Sequence, residues 1–330
     1  MHDPHTTILA ILAKQRLKPG ELAGKLGISR QALHRHLRML LEAKRIQKHG
    51  IGPHVFYAAT QDPETNTRVQ EDYVLCREEI LPHYLDAFAD VLKGYMQRLR
   101  KQKGAEESHD FRFLLDCAAV YSSNIEGNTL DLNSFLNSRM SPRKHRPKEA
   151  QEIEDLVSAY EYAKTHDLCE KNMLHAHKML SREFVAASRQ GVYRQEPVGV
   201  FSQQGLEYMA VEAHFAPQEM RTVFTIVSKL LSVKRSVPEY FFWASWLHLM
   251  IALIHPFSDG NGRTARLCEK WFLAVALGEQ SFGLPSEEHY WENRSLYYAV
   301  LKLGVNYWEA DISKAFPFFA LLPEALKTSL

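Results

Sequence analysis

Two helix-forming runs joined by a loop that cannot itself be helical constrain this chain more than any other feature. Tyr240 to Ile254 is apolar and aromatic over a helical length. Pro256 disfavours the helical state for His255, so the run is expected to end there. From Asn261 to Leu277 an amphipathic helical pattern resumes. The glycines between the runs therefore fall at a helix N-terminus, where unpaired N–H groups and the helix dipole favour an anion. The first run is too short, and too interrupted by His248, to read as a membrane span. No membrane partner is expected.

The loop carries side chains suited to handling a phosphorus-containing group. His255 can take a proton from a hydroxyl near neutral pH. Asp259 offers the hard oxygen that Mg²⁺ prefers. Gly260, Asn261 and Gly262 let the backbone turn sharply and approach a ligand closely. Arg263 and Arg266 are three apart, hence on one helical face, and supply forked donors for phosphate oxygens.

The stretch HPFSDGNGRTAR, His255 to Arg266, resembles the signature of the Fic family, HxFx(D/E)GNGRxxR, and agrees with it at every specified position. Upstream, Ser122 to Gly127 resembles that family's inhibitory motif (S/T)xxxE(G/N), with Ser122, Glu126 and Gly127 in the specified places. The same residues also read as a helix C-terminus with a glycine cap. Gly191 to Phe201 alternates like a short hairpin strand and resembles the family's GxYRxxxVxV flap, with Gly191, Tyr193, Arg194 and Val198 in place. A single proline, Pro217, follows where the family often has a Tyr-x-Pro-Pro piece. Asn293 to Leu301 resembles the family's YYxxL helix through Tyr297 and Tyr298, and Asn306 is a looser match to a following asparagine. Either tyrosine also reads as a plain core aromatic. His175, His177 and His248 read as structural. The resemblance covers roughly residues 108 to 320.

What the resemblance implies is a mainly α protein, an all-α Fic fold with a small β-hairpin flap. It implies protein adenylylation, in which AMP passes from ATP to a hydroxyl of a target protein and pyrophosphate leaves. His255 would be the base, and Asp259 would hold Mg²⁺. Gly260, Asn261, Gly262, Arg263 and Arg266 would hold the phosphates, with Tyr297 and Tyr298 lining the nucleotide pocket and Asn306 meeting adenine. Glu126 would pair with Arg266 and block the γ-phosphate site. The flap would hold the target's backbone by strand addition. Three alternatives stay open: the reverse, AMP-removing reaction; transfer of another nucleotide or phosphate group; and a DNA-binding regulator whose Fic domain only senses nucleotide. The target protein, which includes the chain itself as a candidate, is not legible, and a homodimer is left open.

The first sixty residues read as a separate module, with domains expected at 1–60, 61–107 and 108–330, the middle one a helical linker region and the inhibitory helix near 111–128. Thr6 to Gln15, capped by Thr6 or Thr7, Pro19 to Leu26, and Arg30 to Ala43 read as helices, with Ser29 as N-cap of the third. Residues 45–49 and 54–58 read as strands around a glycine-rich tip. This order resembles a winged helix-turn-helix of the kind found in bacterial regulators. Arg30, Gln31, His34 and Arg35 would face base edges of DNA, with Arg38, Lys44, Arg45 and Lys48 toward phosphates; a protein-docking module is the alternative. Residues 61–67 read as a linker and 98–108 as a boundary or surface loop. A net charge of +1 gives no global attraction to nucleic acid. Four scattered cysteines, Cys76, Cys117, Cys169 and Cys268, and no leader-like N-terminus lead to an expectation of reduced thiols and a cytoplasmic location.

Overall fold

The computed structural model describes residues 4–12, 15–42, 45–50, 52, 54–59, 67–102, 109–202 and 205–327. They fall into two compact units, Met1–Glu71 and Asp72–Leu330. Lys44 and the expected linker at 61–66 lie outside the described residues.

The first unit is a winged helix-turn-helix. Its helices are α1 (Pro4–Leu12), α2 (Pro19–Leu26) and α3 (Arg30–Glu42), followed by β1 (Ile46–His49) and β2 (Phe56–Ala59). Helix α1 starts at Pro4, ahead of the threonines expected to cap it, because proline is preorganised for a helix's first turn. Gly27 ends α2 in the left-handed conformation, φ 64°, and Ser29 Oγ accepts the Ala32 N–H at 3.2 Å to start α3. Leu33, Leu37 and Leu40 then recur on the buried side of α3. They pack with Ile8, Leu12, Leu22, Ile46 and Tyr57. Strands β1 and β2 are antiparallel, and Leu17 adds a bridge to Tyr57. The opposite face of α3, with Arg30, Gln31, His34, Arg35 and Arg38, is exposed.

The second unit is helical with one hairpin. It opens with α4 (Arg68–Leu75), which begins just inside the first unit, a single π-turn, and α5 (Leu81–Gln102). Helix α5 therefore runs into the charged stretch expected to be a loop, because Arg, Lys and Gln are good helix formers without apolar neighbours. There follow α6 (His109–Ile125), α7 (Leu132–Ser138), α8 (Lys148–Thr165) and α9 (Glu170–Leu180). Next come β3 (Gly199–Ser202), β4 (Gly205–Met209), α10 (Ala216–Ser232), α11 (Val237–Ile254) and α12 (Asn261–Leu277). The unit closes with α13 (Ser286–Glu292), α14 (Arg294–Leu301) and α15 (Phe316–Glu324).

Helix α11 is the axis of this unit. It is apolar enough for a membrane by composition, but 78% of it is buried inside the protein. Ser236 and Glu239 form a capping box at its start, with Pro238 in the first turn. Phe242 meets Tyr84 of α5 and Phe319 of α15, with ring centroids 5.1 and 4.5 Å apart. A helix apolar on all sides must be enclosed, and here it is.

The expected strand at 191–201 is shorter. It begins only at Gly199, so Gly191, Tyr193, Arg194 and Val198 precede it. Gly191 has φ 69°, and Arg194 is 4% exposed, which fixes the segment as a loop tied inward. The Val198 carbonyl extends the hairpin pairing, accepting the Ala210 N–H at 3.1 Å.

Candidate active site

His255 closes α11 in the left-handed conformation, φ 51° and ψ 59°, and is the one non-glycine residue with positive φ among the described residues. Its N–H donates to the Ile251 carbonyl at 2.9 Å, and Pro256 bars another turn. Strain of this kind needs support from neighbours, and Arg194 supplies it. Its guanidinium donates to the carbonyls of His255, Ile254, Val211 and Glu196, at 2.7, 3.3, 2.5 and 2.9 Å. Its own N–H reaches the Pro256 carbonyl at 3.0 Å. The open carbonyls at the α11 C-terminus thus receive a buried cation, the charge that a helix C-terminus favours.

The loop behind His255 is closed from within. Asn261 Oδ1 accepts the Phe257 N–H at 2.8 Å, and Asn261 Nδ2 donates to the Phe257 carbonyl at 2.9 Å. Asn261, expected to cradle phosphates, is 2% exposed, and its side chain serves the loop instead. Phe257 is fully buried and stacks on His177, 3.6 Å between ring centroids. His177 Nδ1 accepts the Gly191 N–H at 2.9 Å, so Nε2 carries the proton and donates to the Asp259 carbonyl at 2.9 Å. Burial pushes the His177 pKa down to about 4, keeping the ring neutral. His177 therefore pins both the flap-side loop and the signature loop.

These supports leave the chemical atoms available. His255 Nδ1 lies 3.2 Å from the Ala252 carbonyl; donating there, it leaves the Nε2 lone pair for a proton. Burial holds the His255 pKa below its ordinary 6.5, against weaker opposing effects from the Ala252 bond, Glu126 and Asp259. Asp259 is 60% exposed, and its Oδ1 accepts the Gly260 N–H at 2.5 Å and lies 3.9 Å from Arg263 Nη2. No cluster of three metal-ligating side chains occurs among the described residues. A lone carboxylate suits Mg²⁺ that takes its other ligands from phosphates and water.

The two signature arginines are held differently. Arg263 lies 3.6 Å over the Phe184 ring, with Nη1 3.5 Å from Glu152. Arg266 is 1% exposed and makes more bonds. Its Nε donates to Ser122 Oγ at 2.8 Å, Nη2 to the Ser122 carbonyl at 2.9 Å and to Glu126 at 2.7 Å, and Nη1 to Tyr297 at 3.2 Å. Burial pushes Glu126's pKa up, but the charge and hydrogen bond of Arg266 outweigh it and hold the carboxyl below its ordinary value.

Glu126 also sits over the start of α12. Gly260 has φ 81°, and the first intrahelical bond runs from the Thr264 N–H to the Gly260 carbonyl, after the amides of Asn261, Gly262 and Arg263. A side chain at Gly262 would collide with Glu126 Oε1. A carboxylate thus occupies the place that the α12 N-terminus makes for an anion. At the end of α6 that acid faces an unfavourable dipole, while Gly127, φ 100°, caps the helix. The helix-end reading of Ser122–Gly127 holds, and the same stretch sets Glu126 on Arg266.

Tyr297 and Tyr298 lie behind this pair. Tyr297 is 2% exposed, and Tyr298 donates to the Ile125 carbonyl at 2.9 Å, tying down the end of α6. The Asn306 amide is engaged locally, accepting the N–H groups of Trp308 and Glu309. Glu152, Phe184 and the anchoring roles of His177 and Arg194 were not legible; their partners lie far away in sequence.

Residues 167–273 match the Fic/DOC family model. The chain carries a Fic domain. Residues 5–47 match a winged helix-turn-helix DNA-binding model. The chain is similar to the protein adenylyltransferase Fic of Aedes aegypti, 27% identical over 263 residues, covering 77% of this chain and 47% of that protein. The protein adenylyltransferase Fic of Drosophila melanogaster is 25% identical over 289 residues, covering 83% and 53%. The chain thus spans about half the length of these curated relatives. A crystal structure of a Fic family protein from Desulfovibrio desulfuricans shares the fold, with TM-score 0.61 and 24% identity, covering 82% of this chain and 76% of that one. The signature loop lies inside the Fic domain match, whereas Glu126 lies upstream of it.

Proposed function

We propose that the chain transfers AMP from ATP to a hydroxyl of a target protein and that Glu126 restrains this activity. The observation that carries the reading is His255: a strained, half-buried imidazole, its pKa held below the ordinary value, with Nδ1 occupied and Nε2 available, beside an anion-favouring helix N-terminus. The names of the relatives support the same reading.

In this mechanism His255 Nε2 takes the proton of the target hydroxyl as its oxygen attacks the α-phosphorus in line. The bond from that phosphorus to the bridging oxygen breaks, and pyrophosphate leaves. Gly260, Gly262 and the first amides of α12 meet the phosphate oxygens as charge builds. Arg263 holds the β-phosphate and Arg266 the γ-phosphate. Asp259 would hold Mg²⁺, which would supply positive charge to offset that of the phosphates. With its carboxylate on Arg266 and over Gly262, Glu126 competes for the γ-phosphate's cation and for the helix-end anion site.

The test is purified chain with candidate proteins and ATP labelled at either the α- or the γ-phosphate. Label on protein from the α-position alone is expected. Label from the γ-position alone would replace adenylylation by phosphorylation, and no label with Glu126→Gly would favour a nucleotide sensor. Loss of AMP from a premodified protein would instead favour the reverse reaction.

For the N-terminal unit we propose duplex DNA as partner, read by Arg30, Gln31, His34 and Arg35 on the exposed face of α3. A gel shift that weakens steeply with salt is expected. No shift of any duplex at low salt would favour protein docking.

A further inference from the structure

Behind Arg266 a single chain of buried hydrogen bonds joins α11, α12, α13 and α14. We propose that this chain orients the Arg266 guanidinium for the terminal phosphate of ATP, with His248 as a positioning residue. The inference rests on the nucleotide reading above. Its members Tyr290, Glu269, His248, Tyr297 and Arg266 are each at most 2% exposed, so none exchanges its partner for water.

The direction of every bond follows from donor chemistry. Tyr290 donates to Glu269 Oε1 at 2.9 Å. Glu269 Oε2 lies 2.8 Å from His248 Nδ1, and a carboxylate only accepts, so Nδ1 carries the proton. His248 Nε2 then has a lone pair and accepts the Tyr297 hydroxyl proton at 2.9 Å. With its proton spent there, the Tyr297 oxygen turns a lone pair to Arg266 Nη1 at 3.2 Å. A guanidinium only donates, so the chain ends there with its polarity intact. A proton on His248 Nε2 would instead leave the Tyr297 oxygen facing two donors, Nε2 and Arg266 Nη1, and strand the hydroxyl proton.

The other bonds of Arg266 go to α6 and the residue just past its end: Ser122 twice and Glu126 once. A bound γ-phosphate must displace the Glu126 bond. Tyr297 is then the contact that holds the guanidinium from outside α6. His248 reaches the phosphate only through Tyr297 and Arg266. Its effect should therefore appear with ATP and be missing with ADP, which has no γ-phosphate.

The test uses the full chain carrying Glu126→Gly, with ATP and ADP titrated by calorimetry and folding followed by thermal melts. His248→Leu removes the acceptor for Tyr297 and should weaken ATP about tenfold, the scale of a hydrogen bond to a charged group, with ADP unchanged. His248→Gln keeps an acceptor at the Nε2 position and should restore most of the ATP affinity. ATP affinity equal to that of the parent in His248→Leu would overturn the proposal. So would equal weakening of ATP and ADP, the mark of a general packing role. Should His248→Leu fail to fold, Tyr297→Phe decides, since it keeps the ring and removes only the oxygen. Parental ATP affinity in that variant likewise overturns the proposal. Binding of neither nucleotide by Glu126→Gly itself would remove the nucleotide reading, and this inference with it. ATP binding that is indifferent to these variants removes the inference alone.

Discussion

Helices α3 and α12 both carry arginines on one face, and the two sets are held in opposite ways. Arg30 and Arg35 of α3 are exposed, and Arg38 pairs with an exposed i,i+4 partner, Glu42. Arg263 and Arg266 of α12 are 6% and 1% exposed and are aligned by an aromatic face, a serine, a tyrosine and two carboxylates. The difference matches the size of the proposed ligands. A long polyanion binds through many weak, salt-screened contacts, so its cations do best solvated and adaptable. A single phosphate needs few donors in fixed positions, and fixing them in advance lowers the cost of binding. Fixed, buried cations also need an anion while the site waits, and Glu126 fills that place.

The largest effect should come at the rigid end. His255→Ala is expected to lower transfer by roughly 10²–10⁴-fold while ATP binding stays near normal, because the imidazole acts on the attacking hydroxyl. Near-normal transfer by this variant would remove His255 as base. The measurements are label transfer and ATP titration.

Next in size is the lock. Glu126→Gly should raise ATP affinity by roughly ten- to a hundredfold and raise transfer, self-modification included. The gain should vanish in Glu126→Gly/Arg266→Ala, since both changes act on one contact. That double variant should also melt at lower temperature, because Arg266 ties α6 down through Ser122. Equal activity of the Glu126→Gly and unaltered chains would reduce Glu126 to a helix-end residue. Lower activity would point to the AMP-removing reaction.

A smaller, uniform effect is expected at the solvated face. Arg38→Ala, at a phosphate-facing position, should weaken all DNA sequences alike and reduce the salt slope by about one. Arg35→Ala should instead cost about 1–3 kcal/mol and relax sequence preference. ATP binding should be far less salt-sensitive than DNA binding; equal salt slopes for the two ligands would erase the contrast between the helices.

The mildest test is pH. Since burial lowers the His255 pKa, its base form persists as pH falls past 6.5. Transfer is then lost only on the acid side of that value, as the imidazole gains a proton. A kcat/KM profile whose acid limb lies at or above 6.5 would contradict a base with a lowered pKa.

How much was readable from the sequence depended on how local the cause was. The end of α11, the start of α12, and helix α2 follow from proline, glycine and apolar spacing within a few residues. The Glu126–Arg266 pair spans 140 residues, and only the family resemblance brought it together. The alternation at 191–198 suggests a strand, but it is a weak signal, and the buried guanidinium of Arg194 overrides it. The side-chain amide of Asn261 is consumed by its own loop, which composition does not reveal, while its backbone N–H stays at the α12 N-terminus. His177 and Arg194 hold the loop through backbone carbonyls, partners that carry no side-chain signature.

Gly262 has a consequence for how such a site changes over generations. The missing side chain leaves one seat, taken by the Glu126 carboxylate at rest and proposed for a phosphate at work. Any bulk added there would evict the guard and obstruct the guest together. On the proposed function, restraint and turnover are inseparable at position 262, and a lineage that needs a looser lock must alter it from the α6 side.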